Sequence, residues 1–267
     1  MNGRRSGLSR SASEDWPPPV EILNEAGASE IVLVCEHASN HIPSEYNNLG
    51  VSPEDLTRHI AWDIGAAEVT RGLAEALDAP AFLGTYSRLL VDLNRPFGCQ
   101  SSMPVRSEAT DIPGNIGLGT EECERRRQAI FDPFHAVIAA HLDRRTTQGR
   151  HTRLVTIHSF TPVFLGVTRP WHGGILFDRS RRFAEAVISG LSHDSMLNIA
   201  ANQPYGIHRD EDYAVPIYGT DRGLPAILVE IRNDLISNVR GVEQWVVRLA
   251  DVLRALPPLD EAGFVSE

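Results

Sequence analysis

The chain has 267 residues, of which 42% are hydrophobic, and its 35 acidic and 25 basic side chains give a formal charge of -10. That is ample apolar material for one large core, and so acidic a balance argues against a protein whose main partner is the phosphate backbone of nucleic acid or an anionic membrane. All 25 basic residues are Arg, which removes lysine Schiff-base chemistry and leaves guanidinium groups to recognise an anionic substrate.

Residues 1–18 are rich in Ser and Pro and read as a disordered tail, with 19–267 as one catalytic domain. Arg4, Arg5 and Arg10 are followed by no apolar stretch, and no run approaches the ~20 apolar residues of a membrane span. Cys35, Cys99 and Cys123 form no CxxC pair and fit a reducing compartment. The expected location is the cytoplasm.

The first strong element is Ile31-Val32-Leu33-Val34-Cys35, an apolar run that stops abruptly in Glu36-His37-Ala38-Ser39-Asn40. Such runs read as buried strands of a parallel sheet, and in open α/β sheets ligands bind just past the carboxyl ends of those strands. Ser52 and Pro53 mark a helix start, and a longer helix over 63–77 brings Asp63 toward His37 if the chain turns tightly. A weak strand at 81–84 precedes a stronger one at 86–96 that ends in the polar cluster Asp92-Leu93-Asn94-Arg95. Residues 98–119, with four glycines and two prolines, read as a long binding loop carrying Arg106.

A helix over 120–145 follows, with Glu in its first turn and Arg in its last, as the helix dipole favours. His135 and His141 fall inside it among Phe131, Phe134 and Ile138 and read as packing residues. The strand design returns at 153–158, ending in His158, and again at 226–232, which carries Glu230 and Arg232. Between them lie a strand at 174–178, a helix at 181–191 and an irregular polar stretch at 193–222 that holds His208. An amphipathic helix over 242–256 closes the chain. Strands alternating with helices predict an α/β sandwich with a mostly parallel central sheet covered on both faces. No glycine-rich phosphate loop follows any strand, so nucleotide binding is unsupported.

Three strand ends deliver His37, His158 and Glu230. Two imidazoles suit a divalent metal, and a catalytic zinc site takes a third protein ligand and keeps one position open. Asp63 is the preferred third ligand, with Glu36 and Asn40 as alternatives; adjacent residues on an extended strand face opposite ways, which argues against Glu36 beside His37. Glu230, a carboxylate within an apolar run, suits a general base. Arg95 with Asn94 forms a fork for a substrate carboxylate, with Arg88, Arg106, His208 and Arg232 as further substrate-binding groups. No GxSxG elbow surrounds a serine, so metal-assisted hydrolysis ranks above nucleophilic catalysis.

Four segments, Glu36-His37-Ala38-Ser39-Asn40, Ser87-Arg88-Leu89-Leu90-Val91-Asp92-Leu93-Asn94-Arg95-Pro96, Ile157-His158-Ser159 and Val229-Glu230-Ile231-Arg232, resemble the N-formylglutamate amidohydrolase family across about residues 30–237. The resemblance implies a three-layer α/β/α sandwich of the zinc-carboxypeptidase kind, with His37 and His158 on a divalent metal, expected to be Zn2+, Glu230 activating water, and Asn94 and Arg95 on the substrate carboxylate. Where the carboxypeptidase and aspartoacylase relatives carry His-x-x-Glu, this chain has Asn40 at the fourth position. The implied reaction is hydrolysis of the amide of a small N-acylated acidic amino acid, N-formyl-L-glutamate first among them. Its rivals are hydrolysis of another amide, such as a short peptide or cell-wall fragment, and carboxylate binding without turnover. The expected partner is a small, anionic, amino-acid-like substrate rather than nucleic acid or a membrane.

Overall fold

The structure is a computed structural model, and it describes residues 15–259. Seven strands form the central sheet in the order β1-β3-β2-β6-β11-β9-β10: β1 (Val20–Leu23), β2 (Ile31–Cys35), β3 (Ala81–Gly84), β6 (Arg153–Phe160), β9 (Gly173–Leu176), β10 (Ile199–Ala201) and β11 (Ala226–Arg232). The β3, β2, β6 and β11 strands run parallel, while β1 against β3 and β9 against β11 are antiparallel. Two small hairpins, β4 (Arg106–Ser107) with β5 (Thr110–Asp111) and β7 (Val163–Phe164) with β8 (Val167–Thr168), stand outside it.

The period-2 alternation of the central strands sorts their side chains onto two cores. Ile31, Leu33 and Cys35 of β2 face one core, with Ala66 and Leu73 of helix Ala66–Leu77, Phe183 of helix Arg181–Leu191 and Trp245 of helix Val239–Arg254. Val32 and Val34 face the other, with Phe134, Ile138 and Leu142 of helix Asp132–Thr147. Buried on both faces, these strands read as continuous apolar runs, and the three layers follow from that. No helix among the described residues is long and apolar enough to cross a membrane.

The expected tail lies outside the described residues as far as 14, whereas 15–18 are docked on the domain. Trp16 packs on Tyr46 and Tyr86 with ring centroids 6.0 and 5.8 Å apart, and Tyr86 Oη donates to the Pro17 carbonyl at 2.6 Å. The strand expected over 86–96 is instead an irregular buried segment. Its backbone N–H groups go to scattered partners, Ser87 to His41 O at 2.8 Å, Arg88 to Ala61 O at 3.3 Å and Asp92 to Ser102 O at 2.8 Å, rather than to a neighbouring strand. Leu89, Leu90, Val91 and Leu93 are buried there as completely as in any strand, so an apolar run alone does not separate the two cases.

The helix expected over 120–145 is interrupted by a π turn at Arg127–Phe131, directly before Asp132-Pro133. Proline lacks the N–H for an i→i−4 bond and its ring crowds the carbonyl four residues back, so one widened turn relieves it. The second long helix begins at Ala66 rather than Asp63, which leaves Asp63 in the connection above the sheet. Residues 98–119 contain the β4–β5 hairpin and a turn at Pro113–Asn115, and 193–222 contain β10, a π turn and a final turn.

Candidate metal centre and substrate cavity

His37 stands two residues beyond β2, where the strand has ended and the chain turns. Asp63 N–H donates to the His37 carbonyl at 2.9 Å, which draws the connection before helix Ala66–Leu77 over the end of β2. His158 lies within β6 and pairs in register with Glu230 of β11. His37, Asp63 and His158, all buried, present ligand atoms within 4.8 Å of one another. Asp63 Oδ2 is 2.9 Å from His158 Nδ1 and 3.4 Å from His37 Nδ1, and the two rings stand at 87°.

The far nitrogen of each ring is taken by a carboxylate: His37 Nε2 lies 2.7 Å from Asp92 Oδ1, and His158 Nε2 lies 2.9 Å from Glu36 Oε2. A carboxylate there accepts the Nε2 proton, which holds each ring with its Nδ1 turned toward Asp63. His37 Nδ1 is buried and has no hydrogen-bond partner among the described residues. Two imidazole nitrogens and one carboxylate oxygen facing a common point form a donor set that fits a divalent cation.

The electrostatics agree. Burial alone would raise the Asp63 carboxyl, but His37 and the hydrogen bond from His158 hold it well below the usual carboxylate range. Burial alone would lower His158, yet Glu36 and Asp63 raise it well above an ordinary imidazole. The box therefore favours positive charge at its centre, which a proton or a cation supplies.

Of the three candidates for the third ligand, Asp63 faces both imidazoles. Glu36 is on the same side of the sheet as His158 and backs its far nitrogen. Asn40 Nδ2 donates to the Leu56 carbonyl at 2.9 Å and so turns away from the centre.

A cavity of about 540 Å³ opens above this box, lined among others by His37, Asp63, His158 and Glu230. Glu230 Oε2 is buried and has no hydrogen-bond partner among the described residues, and burial pushes its carboxyl up to about 8. Arg88 reaches the cavity wall but is spent on carboxylates. Its Nε and Nη2 bind Asp92 Oδ2 at 3.0 and 2.8 Å, and its Nη1 lies 3.4 Å from Asp63. Burial would raise Asp92 as well; Arg88 and His37 hold it well below the usual range.

Asn94 and Arg95 line the cavity and also pin a loop onto it. Asn94 Oδ1 accepts from the N–H groups of Tyr213 and Ala214 at 3.2 and 3.0 Å, and Arg95 Nη1 donates to the Glu211 carbonyl and, at 2.9 Å, to Asp212. His208 lines the same wall, its backbone N–H held by Asp212 at 2.8 Å. Two expected substrate groups are not on that wall. Arg106 is 59% exposed, pairs with Asp111 at 3.0 Å across the β4–β5 hairpin, and borders a neighbouring cleft of about 260 Å³. Arg232 turns outward at the end of β11 to Asp234 at 2.8 Å. It shares a strand side with Glu230, but its long side chain is free to follow the nearest carboxylate.

The sequence reading passed over Asp92 and Glu36 as the carboxylates behind the rings, and His59, Phe164 and Tyr205 as cavity walls. The first two had a signal, since a buried imidazole between strands needs an acceptor for its second nitrogen. His59, pushed down to about 4 by burial, sits four residues before Asp63 in a short turn that carries no periodic pattern.

Residues 29–237 match the N-formylglutamate amidohydrolase family. The crystal structure of gene product Atu2144 from Agrobacterium tumefaciens is similar at 38% identity and a TM-score of 0.87, over 92% of this chain and 97% of that one. The crystal structure of N-formylglutamate amidohydrolase from Ralstonia eutropha JMP134 shares the fold at 17% identity and a TM-score of 0.63, over 88% of this chain and 96% of that one. No curated protein matches the chain. With more than half of its length matched to one family and its strand-end motifs at the centre of that match, the chain belongs to the N-formylglutamate amidohydrolases.

Proposed function

We propose that this protein hydrolyses the amide of a small N-acylated acidic amino acid, with N-formyl-L-glutamate giving formate and L-glutamate, and that it does so with a divalent metal, Zn2+, held by His37, Asp63 and His158. The observation that carries the reading is the buried His37, Asp63 and His158 group, with Glu230 in register beside His158 under one cavity. Family membership supports amide hydrolysis. A divalent cation in that donor set supplies the positive charge that polarises an acyl oxygen and acidifies water toward neutrality.

The chain's own residues do the rest. Glu230, buried and with no partner at Oε2 among the described residues, takes a proton from the attacking water once a cation in the centre draws its carboxyl down from about 8, and returns it to the leaving amine nitrogen. Asp92 and Glu36 keep both imidazoles in the tautomer that offers Nδ1. Arg95 and Asn94 offer N–H donors to a substrate carboxylate from the loop wall. A reducing cytoplasmic setting fits the three free cysteines.

The test measures metal content by elemental analysis and formate release from N-formyl-L-glutamate on the same preparations of wild type and Glu230→Gln. About one zinc per chain in both, with formate release in wild type and a fall of roughly 10²–10⁴-fold in the variant, is the expected result. A wild type that takes up no divalent metal on supplementation and releases no formate would end the catalytic reading in favour of carboxylate binding without turnover.

A further inference from the structure

Arg169 follows the β7–β8 hairpin and is only 7% exposed. Its guanidinium lies 4.5 Å from the ring centre of Phe164, 4.8 Å from that of Tyr205 and 5.9 Å from that of Phe160. Nη2 donates to the Tyr205 hydroxyl at 2.7 Å, and Nη1 is buried with no hydrogen-bond partner among the described residues. The other guanidinium groups near the cavity, Arg88 and Arg95, are each matched to a carboxylate. Arg169 instead sits in an aromatic cage behind a neutral hydroxyl. Arg169 and the buried Glu230 carboxyl feel each other's charge, but Nη1 has no acceptor among the described residues, and an anion arriving beside it satisfies that buried donor.

Tyr205 is brought to the cavity by a specific accommodation in the sheet. Gly174 of β9 stands opposite Glu230 of β11, and a Cβ there would collide with the Gln203 carbonyl oxygen. Glycine lets the 203–206 segment lie directly on the strand beside the Glu230 pair, and Tyr205 and Gly206 then form part of the cavity wall. Because the Tyr205 oxygen already accepts from Arg169, its own proton is available to donate. Burial and the charge of Glu230 raise the phenol above its ordinary range, so it remains a neutral donor.

We propose that Tyr205, held and charged from behind by Arg169, is the group that contacts the substrate's second carboxylate, the one distinct from that held near Arg95. Tyr205 is the contacting group and Arg169 is a positioning residue. The inference deepens the proposed function and rests on its view that the substrate is an acidic N-acyl amino acid.

Binding without turnover tests it separately from the reaction. Glutarate and butyrate, which share one carboxylate and differ by the second, are titrated calorimetrically into the metal-loaded wild type, Tyr205→Phe and Arg169→Met. Wild type is expected to bind glutarate at least about tenfold more tightly than butyrate, as one hydrogen bond to a charged group warrants, and Tyr205→Phe to bring that ratio toward one. Tyr205→Phe keeps the ring that packs on Arg169, so it stays informative where Arg169→Met fails to fold. In turnover, Tyr205→Phe should raise KM for N-formyl-L-glutamate about tenfold with kcat changed less than about threefold, and leave both constants for N-formyl-L-norleucine in place. An unchanged glutarate-to-butyrate ratio in the variant, or no preference for glutarate in wild type, overturns the proposal. Glutarate selectivity that depends on Tyr205 in a protein releasing no formate would uphold it and discard the reaction instead.

Discussion

Two pairs of histidines are buried to nearly the same degree in this protein, and they have opposite surroundings. His37 and His158, at 2% and 3% exposure, are enclosed by Asp63, Asp92 and Glu36. His135 and His141, at 6% and 3%, lie on helix Asp132–Thr147 among aromatic rings. His135 packs at 4.1 Å from the ring centres of both Phe131 and Tyr213 and shares a hydrogen bond with the Tyr218 hydroxyl, while His141 lies 5.0 Å from Phe82. Burial pushes His135 down to about 3 and His141, with help from Arg145, down to about 4, whereas Glu36 and Asp63 raise His158 against the same burial. Burial therefore does not set the candidate centre apart. What marks it is carboxylates on both ring nitrogens, which make the site a place for positive charge.

The largest effect is expected from removing a member of the first pair. His158→Ala should lose the bound metal and formate release to background while still folding, since the deletion leaves a polar pocket that water can fill. Elemental analysis beside a thermal melt decides it, and metal retained at the wild-type level would place the centre elsewhere. A finer cut goes through the carboxylates behind the rings. Asp92→Asn preserves shape, removes the charge facing His37 and frees the His37 tautomer, so metal affinity or activity should fall roughly 10–100-fold. Arg88 also loses a buried partner there, so a chelator titration that reads metal affinity separates the site effect from the accompanying loss of stability. Wild-type metal affinity in Asp92→Asn would leave Asp92 with a structural role only.

The contrast also shows what a linear sequence can carry. His37, His158 and Glu230 were legible because an apolar run that ends in a titratable group is expensive unless the group is used, and parallel strands bring their ends to one edge. Asp63 was legible from the helix that follows it, although the helix starts three residues later than expected. The 86–96 segment was not, because burial on all sides gives the same run of apolar letters whether a neighbouring strand or scattered loop carbonyls accept the backbone bonds. Nor was the cage around Arg169, whose members Phe160, Phe164 and Tyr205 come from a strand, a two-residue hairpin and an irregular segment that meet only after folding. Arg106 and Arg232 were assigned to the substrate by residue type, and each found a nearer aspartate.

Changing the second pair should alter activity least and stability only at acid pH. Burial pushes His135 down to about 3 in the fold, against ~6.5 in an unfolded chain. Above ~6.5 both states hold it neutral and it adds no pH slope. Between ~6.5 and about 3 the unfolded chain binds one proton more than the folded one, so stability falls by ~1.4 kcal/mol for each pH unit, and below that window the loss is constant. Replacing His135 by Phe together with Tyr218→Phe, so that no buried hydroxyl is left unpaired, should flatten one proton's worth of this acid limb. Urea midpoints between pH 7 and pH 4.5 measure it, and formate release at neutral pH should stay within about twofold of wild type. A double variant with the wild-type acid slope would show that His135 is already protonated in the fold, and a double variant without turnover would show that the aromatic cluster reaches the catalytic edge of the sheet. Either outcome would dissolve the distinction between the two histidine pairs, because the second pair would then also be a place for positive charge or would also serve the site.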